Sequence, residues 1–253
     1  VYKRQTVYLI DQSVNATDIA WYINGERVAY HNYSTGKHEP FNLTYTFNYS
    51  NIYNVSLWIH NDTCNNTDMW SENITVDWNV TLNTTEGGAG INYISCPLNI
   101  NSSSLALQLL QPGEWIHHYN STTESWESIW LYNSTTAVGD TFNITPTNGL
   151  AVVVGSDRKV RINLTEAVNT VLNTTVSTGY HYLGWTDRNS LYSYNISSIG
   201  LHNGDWLFYY NTSSGEWKSY RVNFTGDLFK ILSHQCIIVN VGGERNLKIP
   251  WNQ

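Results

Sequence analysis

Two acids in this chain stand in the same local frame. Glu114 precedes Trp115 and Asp205 precedes Trp206, each directly after a glycine, Gly113 and Gly204. Paired carboxylates can divide acid–base work when they face one another across a substrate. These two belong to separate copies of one pattern, so an acid serving a turn is the plainer expectation. His117-His118 follows in the first copy, where the second has Phe208-Tyr209. Neighbouring strand residues point to opposite faces, so the two imidazoles do not converge on one metal ion. Cys64 lies in a polar turn, while Cys96 and Cys236 lie in apolar runs. None has metal-ligand or haem spacing. Cys96 and Cys236 read as small buried hydrophobes, with a Cys96–Cys236 disulfide as the sharper alternative. The chain carries no nucleophile elbow, zinc motif, phosphate loop or EF-hand spacing. No catalytic residue, metal ligand or cofactor is therefore assigned, and a non-enzyme is expected.

The remaining chemistry is aromatic. Indole faces stack on the apolar C–H faces of sugars, which makes Trp126, Trp130 and Trp217 candidates for glycan stacking. Trp115 and Trp206 read as core anchors. Trp130 has Arg221-Val222 near its place in the second copy and is expected to be the most exposed of the five.

The elements that must hold these residues are written twice. Gly113-Glu114-Trp115 through Tyr119-Asn120-Ser121-Thr122 is echoed by Gly204-Asp205-Trp206 through Tyr210-Asn211-Thr212-Ser213, and a second Trp follows eleven residues after the first in both. Strand, polar loop, strand is the pattern of a β-hairpin. The echo extends to Gly90–Cys96 with Gly179–Trp185, and to Gly139-Asp140-Thr141-Phe142 with Gly226-Asp227-Leu228-Phe229. It also pairs Val152-Val153-Val154 with Ile237-Ile238-Val239. Two β-rich repeats are expected, at 90–170 and 171–253. Each carries a minor helix, at Leu105–Leu110 in the first and more weakly near Ser190–Ile199 in the second.

Composition narrows the setting. The chain has 253 residues with 13 basic and 20 acidic ones, for a net charge of −7. No Lys or Arg occurs between Lys37 and Arg158, which argues against nucleic acid or an anionic membrane surface. No apolar run reaches the roughly 20 residues of a membrane-spanning helix. No signal peptide is visible, so the natural N-terminus is expected upstream. Val1-Tyr2-Lys3-Arg4-Gln5, at 1–5, reads as a non-native adaptor remnant and is set aside. Eleven Trp and 18 Tyr against one Met, with abundant Asn, Ser, Thr and Gly, suit short strands and tight turns.

The acceptor pattern Asn-x-Ser/Thr occurs about nineteen times. It falls at Asn15, Asn32, Asn42, Asn48, Asn54, Asn61, Asn65, Asn73, Asn79, Asn83, Asn101, Asn120, Asn133, Asn143, Asn163, Asn173, Asn195, Asn211 and Asn223. That density points to a secreted or surface-exposed chain carrying covalent N-glycans.

Residues 6–80 alternate short strands and turns. They contain Asp11-x-Ser13, Trp21-x-Ile23-x-Gly25, Tyr45-Thr46-Phe47, Tyr53-x-Val55-x-Leu57 and Ile74-Thr75-Val76. On those residues the segment resembles the PKD-type immunoglobulin-like domain. The resemblance implies a β-sandwich used as an extracellular spacer or adhesion module. The acidic run that the family carries after its Trp is replaced here by Trp21-Tyr22-Ile23-Asn24-Gly25-Glu26. Residues 81–89 read as a linker. Residues 88–250 carry a Gly-aromatic strand, a Ser-capped helix and a Tyr-Asn-x-Ser/Thr-x-x-x-Trp hairpin. In that they resemble tandem repeats of archaeal surface-layer-like and other secreted proteins, which implies a structural or binding role. The expected fold is mainly β, an Ig-like sandwich followed by two homologous β-rich domains. The expected role is structural: a self-associating extracellular glycoprotein of a surface layer, filament or virion coat. A glycan-binding adhesin using the hairpin Trp residues is the alternative.

Overall fold

The computed structural model describes residues 5–33, 39–47, 51–84, 90–162, 172–185, 191–211, 214–232 and 235–249. The side chains of residues 172, 173 and 249 lie outside that description. The described chain is mainly β, with two short helices. Its contacts fall into two compact units, one reaching to Asn79 and one starting at Val80.

The first unit holds β1 (Gln5–Leu9), β2 (Asp18–Ile23), β3 (Glu26–Asn32), β4 (Leu43–Phe47), β5 (Asn51–Asn61) and β6 (Asn66–Val76). β1 and β4 form a two-stranded sheet, and the others form a four-stranded antiparallel sheet in the order β3-β2-β5-β6. Asn24 and Gly25 both have positive φ, 50° and 81°, the turn that matches the twist of a tight hairpin. The longer β5–β6 hairpin closes where the Asn61 side chain accepts from the backbone N–H groups of Thr63 and Cys64. Leu9 and Phe47 from the small sheet pack with Trp21, Ile23, Tyr53, Val55 and Val76 from the large one. Alternation along the strands supplies one apolar face to each sheet. The Asp11 carboxylate accepts from the backbone N–H groups of Ser13 and Phe41 and from the Ser13 hydroxyl. It fixes a loop.

In the second unit both repeats use one plan. The first contains β7 (Trp78–Leu82, entering the unit at Val80), β8 (Ile91–Ser95), β9 (Ile100–Asn101), helix α1 (Ser102–Leu109), β10 (Trp115–Asn120), β11 (Ser125–Asn133), β12 (Thr136–Gly139), β13 (Asn143–Ile144), β14 (Gly149–Val153) and β15 (Arg158–Ile162). The second contains β16 (Leu172–Val176), β17 (Gly179–Trp185), β18 (Leu191–Tyr192), a 3-10 helix (Ser193–Ile199), β19 (Trp206–Asn211), β20 (Glu216–Arg221), β21 (Lys230–Ile231), β22 (Gln235–Val241) and β23 (Arg245–Ile249). Most pairings recur. β8 with β14 answers β17 with β22, β10 with β11 answers β19 with β20, and β9 with β13 answers β18 with β21. β12 has no described counterpart. The two repeats are not separately packed bodies, because their strands join one nine-stranded sheet.

Helix α1 starts where Asn101, in extended conformation, accepts from the Ser103 N–H, satisfying an amide with no partner inside the helix. Leu105, Ala106 and Leu109 are its buried face. Ser102 donates to the Asp140 carbonyl and accepts from the Phe142 N–H. In the second repeat Ser193 does the same with Asp227 and Phe229. There the helix has no side-chain cap and tightens to a 3-10 turn.

The strand registers correct one expected match. Ile116 lies opposite Val152 and Leu207 opposite Val239, so Val152 corresponds to Val239 rather than to Ile237. Successive apolar residues give a sequence comparison nothing to fix the register, whereas the hairpin pairing does.

The repeats meet about a local two-fold axis. The bridge between Asn148 and Leu183 is answered by the pairing of Gln235 with Ile94. At the axis equivalent positions confront each other. A Cβ on Gly149 would lie 2.2 Å from Cys236 Sγ, and one on Gly184 would lie 2.8 Å from Ser95 Cβ and 2.4 Å from the Pro146 carbonyl oxygen. One residue of each confronting pair is therefore a glycine, because two side chains do not fit.

Candidate functional site

The paired acids prove to be the hubs of two matching corners. Glu114 is buried, and its carboxylate accepts from the backbone N–H groups of Gln111 and Gly155 and from the Arg158 guanidinium at 2.7 Å. Asp205 is buried too, and accepts from the N–H groups of His202 and Gly242 and from Arg245 at 2.9 Å. Each hairpin strand thus begins at a carboxylate that ties its own turn to one distant turn, 155–158 in the first repeat and 242–245 in the second. Burial pushes both carboxyl groups up, but the arginine and the backbone donors outweigh it and hold both below the usual carboxylate range. A carboxylate so saturated has no free lone pair for acid–base chemistry. Arg158 and Arg245 were not singled out from the sequence. Their signal is there: each stands three residues after the glycine whose N–H the same acid binds.

His117 and His118 do point apart. His117 bonds the Ser128 hydroxyl at 2.8 Å and stacks parallel to Trp115, and burial lowers its pKa. His118 lies between Glu127, at 2.9 Å, and the Asn148 amide, at 3.1 Å, stacked on Phe142. The second repeat keeps this frame with different chemistry: Gln235 donates to the Tyr209 hydroxyl, and Tyr209 stacks on Phe229. Among the described residues no group of three or more His, Cys, Asp or Glu side chains could hold a metal ion.

The tryptophans sit differently from expectation. Ile116 and Leu207 take the wholly buried positions of β10 and β19, so alternation turns Trp115 and Trp206 to the opposite face. Trp115 is 36% exposed and Trp206 half-buried. Trp130 is half-buried rather than the most exposed, because it stacks on Trp115 at 5.5 Å. Trp126 and Trp217 are 45% and 47% exposed.

Those two belong to a pair of aromatic triads. Trp126, Tyr119 and Tyr182 stand 4.9 to 5.4 Å apart between ring centroids. Trp217, Tyr210 and Tyr93 stand 5.0 to 5.3 Å apart. The two triads are equivalent under the repeat, and each takes one tyrosine from the other copy. Sequence reading missed the four tyrosines, although Tyr93 and Tyr182 occupy matched places in the Gly-aromatic strand.

All three cysteines are free thiols, Cys64 exposed and the other two buried. The alternative of a Cys96–Cys236 bridge is not realised. Cys236 shares the sheet face of Gly149, whereas Cys96 follows Ser95 at the position where the other repeat places Trp185 in its core. Burial raises both thiols, that of Cys96 to about 12.

Of the sequon asparagines, Asn15, Asn32, Asn42, Asn54, Asn65, Asn73, Asn79, Asn133, Asn143, Asn195 and Asn223 are exposed. Asn61, Asn83, Asn101, Asn120 and Asn211 are half-buried. Asn48, Asn163 and the side chain of Asn173 lie outside the described residues. No helix among the described residues is long and apolar enough to cross a membrane. No protein-family model matches the chain, and no curated protein matches it.

Proposed function

We propose that this chain is structural: an N-glycosylated extracellular building block of a surface layer, filament or virion coat. One observation carries the reading. Every described sequon asparagine reaches the surface, in both units, on strands and turns alike. Asparagines that matched the acceptor pattern by accident would include buried ones, since an amide is readily buried once hydrogen-bonded. The repeated ionisable groups are meanwhile consumed in holding backbone segments together. A polar, glycan-bearing exterior over a rigid β interior suits material that must persist outside the cell. Glycopeptide mass spectrometry of the natural protein, with electron microscopy of the assembly, tests this. Occupied sequons on an ordered layer or filament are expected. Unmodified asparagines in a dispersed monomer would refute it.

A further inference from the structure

We infer that the two aromatic triads form one continuous binding row for a linear, uncharged glycan chain. The inference is independent of the structural reading above. Each triad borrows one tyrosine from the other copy, Tyr182 and Tyr93, and these stand two residues before Gly184 and Ser95, which confront each other at the local two-fold axis. Within each triad the planes are inclined by 47° to 70°, the edge-to-face packing that aromatic rings prefer. The two indoles are the most open members, at 45% and 47% exposure.

The chemistry selects the occupant. None of the six residues is charged. Burial raises the Tyr93 hydroxyl to about 12 and pushes Tyr182 up as well, so these two hydroxyls stay neutral over the physiological range. An ionic ligand finds no counter-charge on these rings. A peptide strand would need unpaired backbone, but a sheet directs its N–H and C=O groups within its own plane, not out of its face. The row presents ring faces, indole N–H groups and phenol hydroxyls. That combination matches a pyranose chain, which offers apolar C–H patches bordered by hydroxyls. The near-identical triads at the two ends suit a repeating ligand, with one sugar segment on each.

The test is titration of the full chain, with its own N-glycans enzymatically removed, against neutral cello-, chito- and manno-oligosaccharides of two and six residues. Calorimetry and indole fluorescence are the readouts. At least one hexaose is expected to bind, and more tightly than its disaccharide. Trp126→Ala and Trp217→Ala are each expected to weaken the hexaose about tenfold, within what one aromatic contact contributes, and by similar amounts. Trp126→Phe and Trp217→Phe keep a ring should the alanine variants misfold, and these are expected to weaken binding less. Failure of every hexaose to bind the unsubstituted chain overturns the inference, as does binding that the double Trp variant leaves unchanged.

Discussion

The two repeats of the second unit share a backbone plan yet differ in what they hang on it, and the pattern of difference is informative. The buried acid with its arginine, the serine that ties the helix start to a distant loop, and the aromatic triad occur in both. Each satisfies backbone groups or joins the copies to each other. By contrast, His118, Glu127 and Asn148 become Tyr209, Lys218 and Gln235, and Trp130 becomes Arg221. Those positions lie on strand faces where several chemistries fill the same space. At the axis the copies are obliged to differ, because Gly149 confronts Cys236 and Gly184 confronts Ser95.

The sharpest way to break the comparison is to remove an arginine. Arg245→Met leaves the Asp205 carboxylate buried without its cation, and Arg158→Met does the same to Glu114. Loss of one partner of a buried pair costs about 3–5 kcal/mol, so urea denaturation should show a comparable drop for each. Asp205, with a side chain only 2% exposed against 7% for Glu114, should show the larger drop. The same carboxylates set a pH dependence. Their folded pKa values are depressed, so the stability they contribute is present above the unfolded values near 4. It is lost as pH falls through the folded values. A urea series from pH 7 to pH 3 should show this loss in the natural chain and a shallower one in the double Arg→Met variant.

Making the copies identical at the axis comes next in size. Gly184→Ser restores the residue of the first repeat, and its Cβ meets the Pro146 carbonyl at 2.4 Å. Overpacking of this kind costs about 1–3 kcal/mol. Gly149→Cys meets Cys236 Sγ at 2.2 Å and backbone atoms of Leu183 and Tyr182 only at 3.0 Å, and should cost less. An unchanged melting temperature for Gly184→Ser would show that the axis is looser than the described packing.

The axis also explains what a reader of the sequence can and cannot see. The repeat, the hairpins and a short helix in the first copy were legible because each leaves a local mark: a matched spacing, an Asn-Gly turn, a capping side chain. The helix was expected at Leu105–Leu110, but the Asn101 cap starts it at Ser102. Glu114 and Asp205 were legible as equivalents for the same reason. Their arginines were not, since the pairing spans 44 residues in one repeat and 40 in the other. The tyrosines of the triads were missed because each triad mixes residues of both copies, and a comparison that aligns the copies hides contacts between them. Trp115 and Trp206 were misplaced because a bulky ring suggests a core. Strand phase gave that place to Ile116 and Leu207.

The smallest expected effect sharpens the comparison most. In the first repeat Trp130 stacks on Trp115 at 5.5 Å with planes 17° apart. In the second, Arg221 lies over Trp206 at 5.5 Å and over Phe224 at 4.3 Å. An aromatic pair contributes about 0.5–1.5 kcal/mol beyond its buried area, and a partly exposed cation over a ring about 0.5–1 kcal/mol. Trp130→Arg should therefore change stability by less than about 1 kcal/mol. Arg221→Trp should change it as little, in the opposite sense. The coupling between position 130 and Trp115, taken from a double-mutant cycle with Trp115→Leu, should keep its sign when Arg replaces Trp. It should also weaken as salt is added, because one partner is then a charge. A loss well above 1 kcal/mol, or a coupling that vanishes, would mean that the first repeat depends on the shape of its indole pair and not merely on a flat group covering Trp115.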